Sequence, residues 1–400
     1  MGKAIEIAPG IFWVGVEDWH RRMFDALIPL PYGTSYNSYL VVGEEKVALI
    51  DTVNPGFEQE LLEKVEQIVE AERIDYVIMN HAEPDHAGGI PTILSRAKNA
   101  KLVATRKGVE MAEVLYGVAA ERTVPVKEGD TLDLVGKSLT FIEAPWLHWP
   151  ETMFTFCRGV GVLFPCDFFG SHLASSRLFD DEVGDILLPE AKRYYAEIMM
   201  PFSRFVAMAL DKIKEMDIRM IAPSHGPIYR NPKKIISAYE RWARGPLKRK
   251  ALIIYVSMWG NTETLAKTIA DAISSEGVEV VPYDVLKADL SHIARDLVDA
   301  SAIVVGSPTL LAGTHPLVGL AVSLVRGLRP RAKLAAIFGS YGWAGGAVHQ
   351  IENLLRQAGL EVVGTLKVRG RPSREDLESA VNLGKLIAQK VKETTIETNS

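Results

Sequence analysis

The segment His81-Ala-Glu-Pro-Asp-His86 places four potential metal ligands within six consecutive residues. It directly follows the apolar run 76–79, which predicts a buried strand. Pro84 holds the segment in a turn, and Gly88 and Gly89 then permit a tight connection into a helix. Because a single structural metal ion does not require so many ligands from one turn, the motif predicts two adjacent metal ions at the end of a strand.

Three more candidate ligands come later in the chain, each after an apolar run and each flanked by Gly or Pro. They lie in the segments Trp146-Leu-His-Trp-Pro150, Pro165-Cys-Asp-Phe-Phe-Gly170 and Pro223-Ser-His-Gly226. Loops beyond strand ends are where α/β folds build their sites, so we expect these side chains to join the first motif. The complete set contains four histidines and three carboxylates: His81, Glu83, Asp85, His86, His148, Asp167 and His225. Carboxylate ligands favour iron that changes oxidation state, whereas histidine-rich sets are more typical of hydrolytic zinc.

The pattern of the chain changes near its middle, and 400 residues exceed one ordinary hydrophobic core. Residues 1–245 begin with short β signals such as 46–51, followed by an amphipathic helix at 57–69. Residues 244–250 are typical of a linker, because Gly-Pro ends the preceding helix and the charged residues favour water. We therefore predict an αββα-like domain over 1–245 and a second domain over 250–400.

The second domain contains near-continuous apolar runs that alternate with helical segments. They are residues 251–256, 278–281, 302–305, 333–338 and, at the start of a fifth strand, 362–363. Such runs are typical of parallel strands that are covered on both faces. The pattern predicts a doubly wound parallel five-stranded sheet.

Three polar segments follow the first, third and fourth of these strands. Ser257-Met-Trp-Gly-Asn-Thr262 precedes an amphipathic helix, so its hydroxyl, amide and backbone N–H groups are suited to a phosphate. The segment lacks the lysine of an ATP-binding loop and the glycine spacing of a dinucleotide-binding loop. Gly306-Ser-Pro-Thr-Leu310 and Gly339-Ser-Tyr-Gly-Trp343 can present backbone donors and a flat aromatic group to a flavin ring. The candidate flavin-binding residues are Ser257, Met258, Trp259, Gly260, Asn261, Thr262, Ser307, Pro308, Thr309, Leu310, Gly339, Ser340, Tyr341, Gly342 and Trp343.

These motifs together resemble a known family. The first resembles the H-x-H-x-D-H signature of the metallo-β-lactamase superfamily, with Glu83 in place of the second histidine. The three later loops resemble those of flavodoxin, whose ligand is FMN. With both parts in one chain, the sequence is similar to the flavodiiron proteins, also called A-type flavoproteins. The resemblance implies an N-terminal αββα metallo-β-lactamase-like sandwich followed by a C-terminal flavodoxin-like domain.

The resemblance also implies an activity, namely the reduction of O2 to water, of NO to N2O, or of both, at a pair of non-haem irons served by FMN. By motif, His81, Glu83 and His148 would bind one iron. Asp85, His86 and His225 would bind the other, and Asp167 would bridge the two. Tyr195 resembles a family residue that lines the diiron pocket. His86 is the least certain ligand, because in some family members a water displaces the matching histidine.

The family resemblance further implies partners. Its members assemble as head-to-tail homodimers or dimers of dimers, which bring the FMN of one subunit to the irons of the other. The two cysteines of this sequence cannot build a four-cysteine rubredoxin centre, and no nicotinamide-binding loop is present. We therefore expect an external electron donor, with rubredoxin as the first candidate.

Two rival interpretations stay open at this point. One is a zinc hydrolase of the lactamase superfamily that carries a flavodoxin-like domain for docking. The other is a flavodoxin-type electron carrier whose first domain serves as a scaffold. Glu83 argues against the hydrolase, and the complete set of seven candidate ligands argues against the carrier.

Composition excludes several other classes. The formal net charge is −5 and the only compact basic cluster is 248–250, so we expect no nucleic-acid partner. Two cysteines rule out a disulfide scaffold and favour a reducing compartment such as the cytoplasm. Residues 300–325 lack charged side chains, but Pro308 and Pro316 interrupt them, so we expect no membrane span.

Overall fold

The computed structural model describes residues 2–397 and divides into two compact units, Met1–Ala243 and Arg244–Ser400. The strands of the first unit are β1 (Ile5–Ala8), β2 (Ile11–Trp13), β3 (Val16–Asp18), β4 (Met23–Phe24), β5 (Ile28–Pro29), β6 (Thr34–Tyr36), β7 (Tyr39–Val42), β8 (Val47–Ile50), β9 (Tyr76–Ile78), β10 (Lys101–Thr105), β11 (Thr123–Val126), β12 (Thr131–Asp133), β13 (Ser138–Glu143), β14 (Met153–Cys157), β15 (Val162–Phe164) and β16 (Met220–Ile221). Its helices are α1 (Glu58–Val65), α2 (Pro84–Ala87), α3 (Ile90–Arg96), α4 (Arg106–Tyr116), α5 (Asp180–Val183), α6 (Leu187–Tyr194), α7 (Ser203–Ile213) and α8 (Pro232–Arg244).

Two sheets form the centre of the first unit. One has the order β1-β2-β7-β8-β9-β10-β11, and the other has the order β12-β13-β14-β15-β16. Their facing sides share one core, in which Ile50 and Ile78 of the first sheet pack with Phe141 and Phe164 of the second. This core alternates along β13, where Leu139 and Phe141 point inward, as expected for strands with one face on the sandwich core.

Helices cover the outer faces of this sandwich. Leu61 of α1 and Ile93 of α3 pack against the outer face of the first sheet. On the second sheet, Phe154 of β14 points away from the shared core and stacks on Phe168, which in turn contacts Tyr239 of α8. The four layers confirm the predicted αββα sandwich.

The second unit is a doubly wound parallel sheet. Its strands are β17 (Lys250–Tyr255), β18 (Glu279–Asp284), β19 (Ala302–Leu310), β20 (Gly313–Thr314), β21 (Leu334–Tyr341) and β22 (Glu361–Arg369). Its helices are α9 (Asn261–Ser275), α10 (Leu290–Leu297), α11 (Pro316–Leu328), α12 (Ala347–Gln357) and α13 (Arg374–Glu397). The strand order β18-β17-β19-β21-β22 is parallel throughout, and β20 adds an antiparallel pair to the end of β19.

Helices lie on both faces of this sheet. Leu265 and Ile269 of α9 pack with Ile387 of α13 over one face, and α11 and α12 contact the strands as well. The strand order reverses between β17 and β19, which is the place where open α/β sheets bind ligands. The predicted five-stranded flavodoxin-like sheet is confirmed.

Two strands of this sheet are longer than the sequence indicated. The segments 306–310 and 339–341, predicted as loops, continue β19 and β21. Pairing maintains both strands, because Ser307 lies opposite Gly339 and Pro308 opposite Ser340. The sequence indicated shorter strands because the apolar runs end before these polar residues, which lie at the carboxyl end of the sheet.

Within residues 2–397, no helix combines the length and the apolar composition that are needed to cross a bilayer. The uncharged segment 300–325 forms β19, the short strand β20 and α11.

We expect Phe141→Ala to destabilise the first unit by about 3–5 kcal/mol, because the ring fills the core between the two sheets and its loss leaves a cavity. Urea unfolding of the full chain, followed by tryptophan fluorescence, measures the change. Val114→Ala is the control: this side chain is 83% exposed on α4, and the change should stay within about 0.5 kcal/mol. Equal effects of the two substitutions would contradict the assigned core.

Candidate functional site

The seven predicted ligands come from both sheets of the first unit. His81 follows β9, and the short helix α2 begins at Pro84 and carries Asp85 and His86. His148 lies between β13 and β14, Asp167 follows β15, and His225 follows β16. Pro84 at the first position of α2 has no N–H to leave unsatisfied, which favours the turn that presents both carboxylates of the motif.

The structure brings the seven side chains together in two groups. In the first, the Nε2 atoms of His81 and His148 lie 3.3 Å and 3.0 Å from Glu83 Oε2. The same two Nε2 atoms lie 3.5 Å and 3.2 Å from Asp167 Oδ2.

The second group repeats this arrangement on the other side of Asp167. The Nε2 atoms of His86 and His225 lie 3.3 Å and 3.2 Å from the carboxylate oxygens of Asp85. They lie 2.9 Å and 3.4 Å from Asp167 Oδ1. Each oxygen of Asp167 therefore faces a different group.

Several of these close contacts lack the geometry of a hydrogen bond. Among the described residues, Asp85 Oδ1, His148 Nε2 and Asp167 Oδ2 are buried without a well-aligned hydrogen-bond partner, although polar atoms lie within 3.5 Å. A buried polar atom without a partner is costly unless a metal or water satisfies it. Within each group the candidate ligand atoms lie within 4.8 Å of one another. The residues present therefore fit two adjacent cations.

The electrostatics of the cluster also require positive charge. Burial lowers the pKa of the histidines, but the surrounding carboxylates outweigh it and raise the pKa of His81 and His86 to about 9. The pKa of His148 rises to about 10, because Asp167 and Glu83 outweigh its burial. A metal ion supplies the charge that a proton would otherwise bring to these nitrogens.

Three residues that the sequence did not indicate form hydrogen bonds with the candidate ligands. Glu151 Oε1 accepts a hydrogen bond from His81 Nδ1 at 2.8 Å, and the main-chain carbonyl of Ser35 accepts one from His225 Nδ1 at 2.6 Å. Tyr194 Oη donates to Asp167 Oδ1 at 2.8 Å. Glu151 directly follows the Trp146–Pro150 motif, but the sequence does not show that it contacts His81, 70 residues earlier.

Tyr195 lies elsewhere than the resemblance implied. Its hydroxyl lies 3.1 Å from Ser203 Oγ, and its ring packs on Tyr239 and Trp242. The tyrosine that reaches the cluster from this segment is its neighbour, Tyr194. Successive residues of a helix point about 100° apart, so a shift of one position changes which side chain meets the site.

In the second unit, the candidate flavin residues gather at the carboxyl end of the sheet. Gly260 adopts φ +84° before α9 begins at Asn261, and its N–H donates to Ser257 Oγ at 3.1 Å. The hydroxyls of Thr262 and Ser340 lie 2.9 Å apart, which joins the segments after β17 and at the end of β21.

The rest of the candidate set lies on or just beyond β19 and β21. Trp259 and Trp343 are 86% and 84% exposed, so two large aromatic side chains are open to a flat ligand. Gly339 has no space for a side chain, because a Cβ there would lie 2.7 Å from the main-chain oxygen of Ser307. The N-terminal end of α9 with its polar loop fits a phosphate.

Comparisons with known proteins cover both units. Residues 34–226 match the family model described as ODP family beta lactamase, and residues 253–384 match the flavodoxin model. The nitric oxide reductase of Moorella thermoacetica is 39% identical over 98% of this chain and 100% of its own length. The solved flavodiiron protein from Giardia intestinalis is 32% identical, with a TM-score of 0.95 over 100% of this chain and 99% of that one. The chain belongs to the flavodiiron protein family.

A second solved structure supports this assignment. The rubredoxin oxygen:oxidoreductase from Desulfovibrio gigas is 31% identical to this flavodiiron chain and has a TM-score of 0.95. The match covers 98% of this chain and 99% of that one. The predicted family is confirmed across both domains.

We expect metal uptake by the metal-free flavodiiron chain to tighten as the pH rises from neutrality towards 9. His81 and His86 have a pKa of about 9, so each is protonated below that pH and must lose its Nε2 proton to bind a metal. Calorimetric titration with Zn2+ at several pH values, in two buffers of different ionisation enthalpy, measures affinity and proton release together. An affinity that does not change over this range would contradict these histidines as ligands.

Proposed function

We propose that this chain is a flavodiiron oxidoreductase that reduces O2 to water, NO to N2O, or both. The observation that carries this proposal is the position of Asp167, whose two oxygens face two separate groups of imidazole and carboxylate ligands. When bound, two ferrous ions and reduced FMN supply the four electrons that convert O2 to water, or the two that join two NO molecules into N2O.

Each group of ligands is proposed to hold one iron. His81, Glu83 and His148 would hold the first, and Asp85, His86 and His225 would hold the second. Asp167 would contribute one oxygen to each. Support comes from the Nε2–carboxylate separations of 2.9–3.5 Å, which bring the candidate ligand atoms of each group close together.

Tyr194 has a defined role in this arrangement. Burial and the charge of Asp167 raise the pKa of the Tyr194 hydroxyl well above its usual value. The hydroxyl therefore keeps its proton and donates a hydrogen bond to Asp167 Oδ1 at 2.8 Å. This hydrogen bond fixes the orientation of the carboxylate that both groups share.

The second unit is proposed to bind FMN at the end of its sheet. Ser257, Met258, Trp259, Gly260, Asn261 and Thr262 would surround the phosphate, and the segments 307–310 and 339–343 would line the flavin ring. The support is the polar loop at the start of α9 and the two exposed tryptophans beside it.

Electrons must enter from a redox partner. These 400 residues contain two cysteines, which is too few for a four-cysteine iron centre. The relative from Desulfovibrio gigas is named for rubredoxin, and we propose that a rubredoxin serves here as well.

We further propose that the active assembly is a head-to-tail homodimer, alone or in pairs. Electron transfer requires the flavin of one domain to lie close to the metals of the other, and a peptide linker does not ensure this. A dimer in which each subunit's FMN serves its partner's metals meets the requirement.

The zinc hydrolase is not favoured, since the relatives that match both units are named for reductase or oxidoreductase activity. Metal analysis of the purified protein, with O2 and NO consumption measured after reduction, separates the two activities. Zinc without iron, together with ester hydrolysis, would favour the hydrolase.

We expect His81→Asn to reduce iron content and to lower gas consumption by more than about 100-fold. Mutation of a residue that only hydrogen-bonds to a ligand typically costs about 10–100-fold. FMN should stay bound, because the second unit is unchanged. His292→Asn is the control, since this exposed histidine lies in the second unit. Full turnover by iron-depleted His81→Asn would contradict the proposed metal centre.

The dimer is tested with two inactive variants. In Ser257→Asp the carboxylate can still accept from the Gly260 N–H, but its negative charge should repel the FMN phosphate. The two variants are mixed under conditions that exchange their subunits. Gas consumption should then return, because the His81→Asn subunit supplies FMN and the Ser257→Asp subunit supplies the metals.

Sedimentation should show dimers or tetramers of the wild-type chain. A mixture that exchanges subunits and stays inactive would contradict the head-to-tail arrangement, and so would a fully active wild-type monomer.

A further inference from the structure

The two groups of ligands are chemically equal in their inner set. Each has two histidines, one carboxylate of its own and one oxygen of Asp167 within 3.5 Å of both histidines. Equal inner sets give equal ligand charge, so a difference between the two halves of the site must come from atoms behind the ligands.

A buried carboxylate stands behind the first half. Glu151 is 3% exposed, and its Oε1 accepts hydrogen bonds from His81 Nδ1 at 2.8 Å and from the main-chain N–H of Ala82 at 2.9 Å. The main-chain carbonyl of Glu151 accepts a further hydrogen bond from Thr105 Oγ1 at 2.8 Å. Glu151 is therefore held in place from both its main chain and its side chain.

In the described part of the chain, the second half has no carboxylate hydrogen-bonded behind its histidines, and the buried carboxylate of Asp51 acts on His86 through space only. His225 Nδ1 donates to the main-chain carbonyl of Ser35 at 2.6 Å, with the Thr34 hydroxyl 3.3 Å away. Nδ1 of His86 has no hydrogen-bond partner among the described residues. Across residues 2–397, neither of these two Nδ1 atoms is hydrogen-bonded to a carboxylate.

Among the described residues, no basic side chain other than His81 forms an ion pair with Glu151. Its second oxygen, Oε2, is buried without a hydrogen-bond partner, and His81 is the one basic group within ion-pair distance in the part of the chain that the structure describes. A cavity of about 320 Å³ borders Glu151 and is also lined by Arg106, Lys107 and Glu110. Neither of those two cations pairs with Glu151, so its charge acts on His81.

We propose that Glu151 is a positioning residue that makes the two halves of the site unequal. By accepting the Nδ1 proton it holds His81 in the tautomer whose Nε2 binds metal, and it increases the basicity of this ligand alone. The metal held by His81, Glu83 and His148 is therefore the more electron-rich of the pair and has the lower reduction potential. This inference rests on the proposed function only in that the metals are irons.

Three variants of the full chain separate the charge of Glu151 from its hydrogen bond. In Glu151→Gln the amide oxygen can still accept from His81 Nδ1 and the Ala82 N–H, but the negative charge is gone. Glu151→Ala removes both. Glu110→Gln removes one negative charge from the same cavity without touching a ligand, and is the matched control.

Each variant is reconstituted with ⁵⁷Fe and examined by Mössbauer spectroscopy, by redox titration and by metal-binding titration with Zn2+. We expect Glu151→Gln to keep two irons, to change the signal of one iron only, and to raise one of the two iron potentials. We expect Glu151→Ala to weaken binding of one of two metal ions by about 10–100-fold. Glu110→Gln should match the wild type in all three measurements.

The inference is overturned if Glu151→Gln matches Glu110→Gln, or if both iron signals and both potentials change together. In those cases a wild type that still binds two irons and reduces O2 or NO leaves the proposed function intact. If Glu151→Ala does not fold, the iron signals and potentials of Glu151→Gln alone test the inference. A wild type that binds no metal would overturn the function and this inference together.

Discussion

The site depends on one buried carboxylate, Asp167, which shares its two oxygens between two groups of histidines. Its side chain is almost completely buried, and a charge in that position is tolerated only when positive charge surrounds it. Four histidines from three segments of the chain lie on both sides of it, and Tyr194 adds a hydrogen bond. His81 and His86 follow a strand of the first sheet, whereas Asp167 and His225 follow strands of the second. The cluster therefore forms only when the two sheets pack against each other.

This origin couples metal binding to the stability of the first unit. A cation that binds ligands from both sheets binds the folded state and not the unfolded chain, so it stabilises the sandwich by mass action. Without a metal, the same cluster holds several carboxylates and imidazoles close together, and some of their polar atoms are buried without a hydrogen-bond partner. Part of the stability of the core between the sheets is therefore available only to the loaded protein. The second unit has its own core and does not depend on these ligands.

Much of this arrangement was accessible from the sequence, because metal ligands need particular residue types at strand ends. The turn 81–86 and the later motifs indicated the candidate ligands that the structure brings together, and the apolar runs predicted the doubly wound sheet. Sequence did not reveal the partners behind the ligands, since His81 and Glu151 are 70 residues apart and meet only through folding. The choice between Tyr194 and Tyr195 depends on the phase of one helix turn. The ends of β19 and β21 were missed because polar residues continue a strand when their main chains pair.

One of the contacts behind the ligands is made by main chain alone. The acceptor for His225 is the carbonyl oxygen of Ser35, an atom that every amino acid at that position would provide. A substitution at position 35 therefore leaves this acceptor in place, whereas a single codon change can replace the side chain of Glu151 that binds His81. Sequence divergence can thus remove the hydrogen bond to His81, while the main-chain hydrogen bond to His225 is retained.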